Sequence, residues 1–566
     1  MMPKGLLHPD MPRNLGVFKK LTDHARDFET PPYHLKQLIQ QPDRFSEFSL
    51  KTKDFFLDFS RQRLDADVFN NLVLLAKQTK VCQSFSDMTI GKLVNTTEQR
   101  AALHTEARAF SNQGPMVGGV VGEVDVGSEI NRVNREINDF SKAIHQGKLT
   151  GSTGKDFTQA VVIGIGGSYL GCEFAFEALK QSIDPKIMLH FLPNVDIDNF
   201  SAVIKKINPE TCLWIVISKS YTTTETMSNL AQTQLFLKTH GLFPGDHLVT
   251  VTAQGSPGDD PSNPVLAAFH MFDFIGGRFS VTSAVGGVPL SLAFGFDNFE
   301  RFLKGSHAMD THALTAPESQ NIPLVAALIS IWNTLFLNYP AQAIIPYSSA
   351  LSRLPAHVQQ LYMESIGKQT SSDGQFLTRP AGSIIFGEPG TNAQHSFFQL
   401  AHQGPAFPIE FIGVVNPAYK GECARSRQVT NHQELWANMI AQTLALAMGK
   451  EDAAPAKCFP GNRPSSLILI NDLSPETLGS LLSFYEARTV FEGFILGINP
   501  FDQFGVELGK VMAADIRKEI GLKNLALNKG SGTGSDKGAD KESYEFDHLE
   551  DAKRFYIETL FKGFWE

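Results

Sequence analysis

The residues able to do chemistry fall in a few short blocks. Residues 161–171 read VVIGIGGSYLG: an apolar run, a turn holding Gly166, Gly167 and Ser168, and the start of an amphipathic segment at 169–180. A strand entering a helix through such a turn aims unpaired backbone N–H groups at whatever sits in front of the helix, which is an anion site in waiting. The dinucleotide fingerprint needs a small residue three positions after its second glycine, and that position holds Tyr169, so a nicotinamide cofactor is disfavoured. Taken alone, the block could also be a tight turn with no ligand.

A second block, SKSYTTTET at 218–226, follows the apolar run 213–217, and six of its nine residues carry aliphatic hydroxyls. Hydroxyls and backbone donors at a helix N-terminus, with Lys219 beside them, match the many donors and one cation that a phosphate dianion requires. Helix capping alone would need one or two hydroxyls. Walker A spacing is missing.

The candidates for bond chemistry come later. Residues 273–286 (DFIGGRFSVTSAVG) set Arg278 between a Gly-Gly turn and Phe279. It is either a surface charge or, partly enclosed by Ile275, Phe279 and Val281, a fixed cation for a developing oxyanion. Glu364 lies near the C-terminus of a helix expected over 354–368 (LPAHVQQLYMESIGK). A carboxylate there opposes the helix dipole, which suits a general base, although an ordinary exposed glutamate is the simpler reading. His395, in TNAQHSFFQLAHQG, is placed at the start of a helix, as a proton shuttle or a core histidine. No carboxylate or cysteine stands at metal-ligand spacing from His395 and His402. By spacing alone, Lys510 in residues 493–510 (GFILGINPFDQFGVELGK) is a solvated charge.

The elements that must position these groups follow from periodicity. Short β-branched runs at 160–165, 213–217, 248–251, 343–347, 409–415 and 466–470 alternate with helix-length segments, the pattern of two α/β domains with parallel sheets. The first 150 residues read as helices (65–80, 128–146) and connections, with no strand-rich block. Residues 528–543 (NKGSGTGSDKGADKES) read as a flexible linker before a terminal helix at 547–563.

Composition sets the class of partner. The 566 residues are 42% apolar, 10% aromatic and 19% charged, which excludes a fibrous or largely disordered chain. The net charge of -9 is the wrong sign for a protein that binds nucleic-acid phosphates, while leaving room for a local pocket for one small anion. Five scattered cysteines suggest neither a disulfide framework nor a zinc site, and a reducing cytosol fits them. The N-terminus lacks the apolar run of a signal peptide. The apolar stretch 322–339 is broken by Ser330, Asn333, Thr334 and Asn338, so it reads as a buried helix rather than a membrane span.

Together, residues 273–286, residues 493–510 and the blocks VIGIGGS, SKSYTTTET, MESIGK and QHSFFQLAHQG occur in an order that resembles the glucose-6-phosphate isomerase family over most of the chain. The resemblance implies an aldose-ketose isomerase acting on glucose 6-phosphate and fructose 6-phosphate in glycolysis and gluconeogenesis, with no cofactor and no metal. It assigns Glu364 as the base moving a proton between C2 and C1 through a cis-enediolate, and Arg278 as the cation stabilising it. His395 and Lys510 match the pair that opens the cyclic sugar. Ser168, Ser218, Lys219, Ser220 and Thr223 fall on phosphate-binding positions, Gly167 on a substrate-binding position, and Gln360 and Gln503 on substrate-contacting glutamines.

The implied fold is α/β: two sugar-isomerase (SIS) three-layer α/β/α domains with parallel-rich sheets and helical extensions. The expected divisions are a helical region at 1–154, a smaller domain at 155–300, a larger one at 301–527, the linker at 528–543 and a terminal helix at 544–566. The resemblance also implies a cytoplasmic homodimer whose site receives His395 from the partner subunit. Ser220 stands where many relatives have Thr, which keeps the hydroxyl. Leu361 and Tyr362 stand where relatives often show Gly-Asp, which alters the wall beside the base. A non-catalytic sugar-phosphate sensor would need the phosphate loops but not Glu364, Arg278 and Lys510 together.

Overall fold

A computed structural model describes residues 16–109, 120–121, 124–528 and 547–562. Residues 529–543 of the expected linker lie outside the described residues. The chain divides into two compact units, residues 1–502 and 503–566.

The first unit is built on two sheets. In one, five strands run parallel: β3 (Gln159–Ile163), β4 (Met188–Leu192), β5 (Cys212–Ile217), β6 (Leu248–Ala253) and β7 (Ala267–Met271), in the spatial order β7-β6-β5-β3-β4. All six residues of β5 (CLWIVI) are buried, as expected for a strand covered on both faces by helices. Sheet growth reverses direction between β3 and β5. Such a switch point opens a crevice at the carboxyl ends of the two strands, and the blocks leaving those ends are the glycine turn and the hydroxyl loop.

The other sheet has the order β1-β2-β11-β10-β8-β9, where β1 is Ser49–Lys51, β2 Phe55–Asp58, β8 Ala341–Tyr347, β9 Ile384–Phe386, β10 Ile409–Val414 and β11 Ser465–Ile470. Its last four strands are parallel, whereas β2 pairs antiparallel with both β11 and β1. These two N-terminal strands correct the expectation that the first 150 residues supply only helices and connections. They are three and four residues long, too short for periodicity to reveal, and β2 is held by burying Phe55 and Leu57, with the Phe55 ring 4.8 Å from that of Phe484. β4, β7 and β9 also escape the sequence pattern; His190 and His270 interrupt two of them.

The helices expected over 65–80 and 128–146 are Ala66–Gln78 and Val126–His145, each N-capped by an aspartate side chain, Asp65 and Asp125. Ile322–Ile331 is buried at every position and runs on into a wider turn, Trp332–Phe336. The buried helix Pro475–Ile495 crosses Phe296–Thr315 closely, because a side chain on Gly305 or Gly479 would strike the backbone of the opposing helix. Arg108, Asp310 and Glu486 form a fully buried ion-pair cluster there. Beyond this helix the chain delivers residues 498–502 to the candidate site.

In the second unit, helices Glu507–Asn528 and Asp547–Lys562 are joined by a Lys553–Glu519 ion pair at 3.2 Å. Among the described residues no helix is long and apolar enough to cross a membrane.

Candidate active site

Gly166 opens the turn Gly166–Ser168 with φ of 58°, a backbone state that glycine adopts without strain. Gly167 packs so closely on the turn Gly277–Phe279 that an added methyl would collide with the Gly277 carbonyl. The absence of that methyl lets the turn carrying Ser168 pack directly on the turn carrying Arg278. Ser280 Oγ also donates to Gly167 O at 3.4 Å.

The hydroxyl loop leaves β5 with Ser218 buried and its N–H donating to Val251 O at 3.1 Å. That amide therefore belongs to the sheet, and Ser218 Oγ donates to Thr223 Oγ1 at 3.2 Å. Tyr221 bends the loop with φ of 54°, unusual for a bulky residue. Ser220 Oγ shares a hydrogen with Thr222 Oγ1 at 2.6 Å. Thr223 is the N-cap of Thr224–Thr239, but its side chain does not cap the helix, so the first-turn amides remain for an anion. Lys219 Nζ meets Asp273 Oδ1 at 3.1 Å and donates to Asp273 O at 3.1 Å. Burial lowers the Lys219 pKa, and Asp273 opposes that shift.

Arg278 is buried. Its Nε donates to Ser365 Oγ at 2.7 Å, Nη1 to Glu364 Oε2 at 3.3 Å, and Nη2 to the carbonyls of Pro500 and Asp502 at 2.6 and 3.0 Å. Burial lowers its pKa, with Glu364 and Asp502 acting in opposition; guanidinium stays charged in proteins.

The helix Leu354–Ile366 ends at Gly367, so Glu364 sits in its last turn, with a side chain 28% exposed. Gln360 Nε2 donates to Glu364 Oε1 at 3.2 Å, while buried Gln360 Oε1 has no partner among the described residues. The same face ties the helix to the glycine turn and the helix Leu170–Leu179: Arg353 pairs with Glu173 at 2.6 Å, His357 stacks on Phe174 with centroids 5.9 Å apart, and Gln360 approaches Gly166. Positions 353, 357, 360 and 364 form one helical stripe.

His395 ends the short turn Asn392–His395 instead of starting a helix, and the next helix is Phe398–Gln403. It is exposed and is not hydrogen-bonded to the Arg278–Glu364 cluster. His402 pairs with Gln442 Oε1 at 2.9 Å. Gln503 and Lys510 belong to the second unit; Gln503 precedes the turn Phe504–Val506, and exposed Lys510 pairs with Glu507 at 2.8 Å. Among the described residues no group of three or more His, Cys, Asp or Glu could hold a metal ion.

Three partners escaped sequence reasoning: Ser365, Lys368 and Asp502. Lys368 carried a usable signal, lying four residues after Glu364. Asp502 approaches Arg278 only through tertiary folding.

Within the first unit the structure thus joins Arg278, Glu364, Gln360 and the glycine turn, and sets the hydroxyl loop on the neighbouring strand end. A fixed cation against a carboxylate, beside an anion crevice, can move a proton next to a carbonyl.

Comparison with known proteins agrees. The family model for phosphoglucose isomerase matches residues 58–535. The glucose-6-phosphate isomerase of Desulfosudis oleivorans is 56% identical over 551 residues, 97% of each chain. The cytosolic enzyme of that name from Arabidopsis thaliana is 41% identical over 89% of this chain and 92% of its own. The crystal structure of a glucose-6-phosphate isomerase from Chlamydia trachomatis superposes with a TM-score of 0.85 at 35% identity, covering 96% of this chain and 99% of that one. With a matching family model over most of its length and relatives this close, the chain belongs to the phosphoglucose isomerase family.

Proposed function

We propose that the chain interconverts glucose 6-phosphate and fructose 6-phosphate, using the cluster around Arg278 and Glu364 to move one proton between C2 and C1 of the open-chain sugar. The observation that carries this reading is the Arg278–Glu364 contact beside the Gly166–Ser168 turn. Glu364 takes the C2 proton, and the electron pair of the broken C–H bond forms the C1–C2 double bond while charge moves onto O1. Arg278 stabilises that enediolate, and its fixed charge serves the oxyanion without a metal ion. Return of the proton to C1, with a proton passing from O2 to O1, completes the ketose. Base catalysis of this kind supplies about 10²–10⁴-fold, and positioning and electrostatics supply the rest.

The phosphate is held by Ser168, Ser218, Lys219, Ser220 and Thr223, with the backbone at Gly167; the uncapped first turn of Thr224–Thr239 supports this role. Gln360 and Gln503 contact the sugar, and the unpartnered Oε1 of Gln360 is the supporting feature. His395 and Lys510 assist ring opening. The exposure of His395 supports its delivery into the partner's site in a homodimer. The cytosolic relative supports a cytoplasmic location.

A coupled assay of fructose 6-phosphate turnover, with and without chelator, tests the reading. Turnover should survive chelation, and Glu364→Gln should lower kcat by about 10²–10⁴-fold while substrate still binds. Activity lost to chelator and restored by added metal would refute it.

A further inference from the structure

Lys368 and Asp502 lie behind the Arg278–Glu364 pair. The Lys368 ammonium donates to the Glu364 carbonyl at 2.7 Å and the Asp502 carbonyl at 2.6 Å, and pairs with Asp502 Oδ1 at 2.8 Å. The other carboxylate oxygen of Asp502 accepts from Thr97 Oγ1 at 2.6 Å and Asn499 Nδ2 at 3.0 Å. Both side chains are largely buried, at 12% and 7% exposure. The Asp502 carbonyl is thus shared by Lys368 and Arg278.

An arginine beside a carboxylate tends to close into a two-pronged pair at about 2.7–2.9 Å. Such a pair would tie both carboxylate oxygens to the cation and make them weaker bases. Here Arg278 Nη1 stands off at 3.3 Å from Glu364, with its other nitrogens drawn to Ser365, Pro500 and Asp502. The pull toward residues 500–502 holds only while that segment is fixed, and the Lys368–Asp502 pair fixes it to the last turn of the helix carrying Glu364.

We propose that Lys368 and Asp502 are positioning residues that hold Arg278 back from a closed ion pair with Glu364, keeping the carboxylate free to accept a proton. This rests on the assignment of Glu364 as the base. A lysine capping the helix C-terminus for stability alone would explain the bond to Glu364 O, but not the shared Asp502 carbonyl.

Steady-state kinetics with fructose 6-phosphate on full-length Lys368→Met, Lys368→Arg, Asp502→Asn and the double variant Lys368→Met/Asp502→Asn test it, with Glu364→Gln alongside. Lys368→Met should lower kcat by about 10–100-fold and leave KM within about threefold. Lys368→Arg should recover most of that loss, and the double variant should be no worse than Lys368→Met. Should Lys368→Met fail to fold, Asp502→Asn decides, because it keeps the main-chain contacts; its kcat should fall about tenfold. Wild-type kcat in Lys368→Met or Asp502→Asn, or a fall in kcat matched by an equal rise in KM, overturns the proposal. Wild-type kcat in Glu364→Gln instead overturns the underlying assignment of the base, whatever the other variants do.

Discussion

Arg278 and Glu364, 86 residues apart in the chain, meet at 3.3 Å with the arginine side chain 2% exposed and the glutamate 28% exposed. The cation is anchored in the protein, while the carboxylate keeps an exposed face. Arg278→Lys should therefore be a severe change. An ammonium cannot reach Ser365, Glu364, Pro500 and Asp502 at once, and kcat should fall by about 10²–10³-fold with a smaller change in KM. Steady-state kinetics at saturating fructose 6-phosphate check this.

Asp273 bridges two cations, Lys219 at 3.1 Å and Arg100 at 4.0 Å, and is itself 78% exposed. A phosphate dianion arriving at Lys219 meets that negative charge. Asp273→Asn should lower KM about two- to fivefold with kcat unchanged, and the gain should shrink as salt rises. Lys219→Ala should mainly raise KM. Titrations of KM against ionic strength for both variants decide the matter.

Gly167→Ala places a methyl group inside the Gly277 carbonyl, and neither partner is a flexible side-chain end. The two turns must separate, at about 1–3 kcal/mol of stability. Arg278 would move with them, so activity should fall further than the loss in Tm alone accounts for. Thermal denaturation and kinetics on the same sample separate the two effects.

His357, 2% exposed and stacked on Phe174, has its pKa lowered from 6.5 to about 4 by burial. The folded protein keeps this ring neutral while the unfolded chain protonates it, so stability is lost as pH falls from about 6.5 towards 4. The share of that loss carried by this one ring between pH 7 and pH 5 should be about 2 kcal/mol. Burial also holds His104, His145, His190 and His312 below the usual 6.5, so denaturant unfolding should show the wild type losing about 2 kcal/mol more than His357→Gln between the two pH values.

Much of the site was legible because its signals are local. The glycine turn, the hydroxyl-rich loop, Arg278 after two glycines and Glu364 near a helix end are each marked within a dozen residues, their order along the chain favours one reading of each over its plainer alternative, and the β-branched runs placed the loops at strand ends. Sequence alone also narrowed the class of partner, because the net charge argues against a polyanion and the ordered blocks point to a sugar phosphate.

What only the tertiary structure decided is who stands next to whom. Arg278 reaches Pro500 and Asp502 across 222 and 224 residues, and no local pattern records a contact of that separation. Asp273 occupying Lys219, the Ser218 amide taken by the sheet, and the short strands β1 and β2 are likewise products of packing, which depends on the shapes that meet after the chain has folded. A residue's type sets the chemistry it can perform; its partners, and hence whether a charge is held, freed or neutralised, are set by contacts between segments distant in sequence.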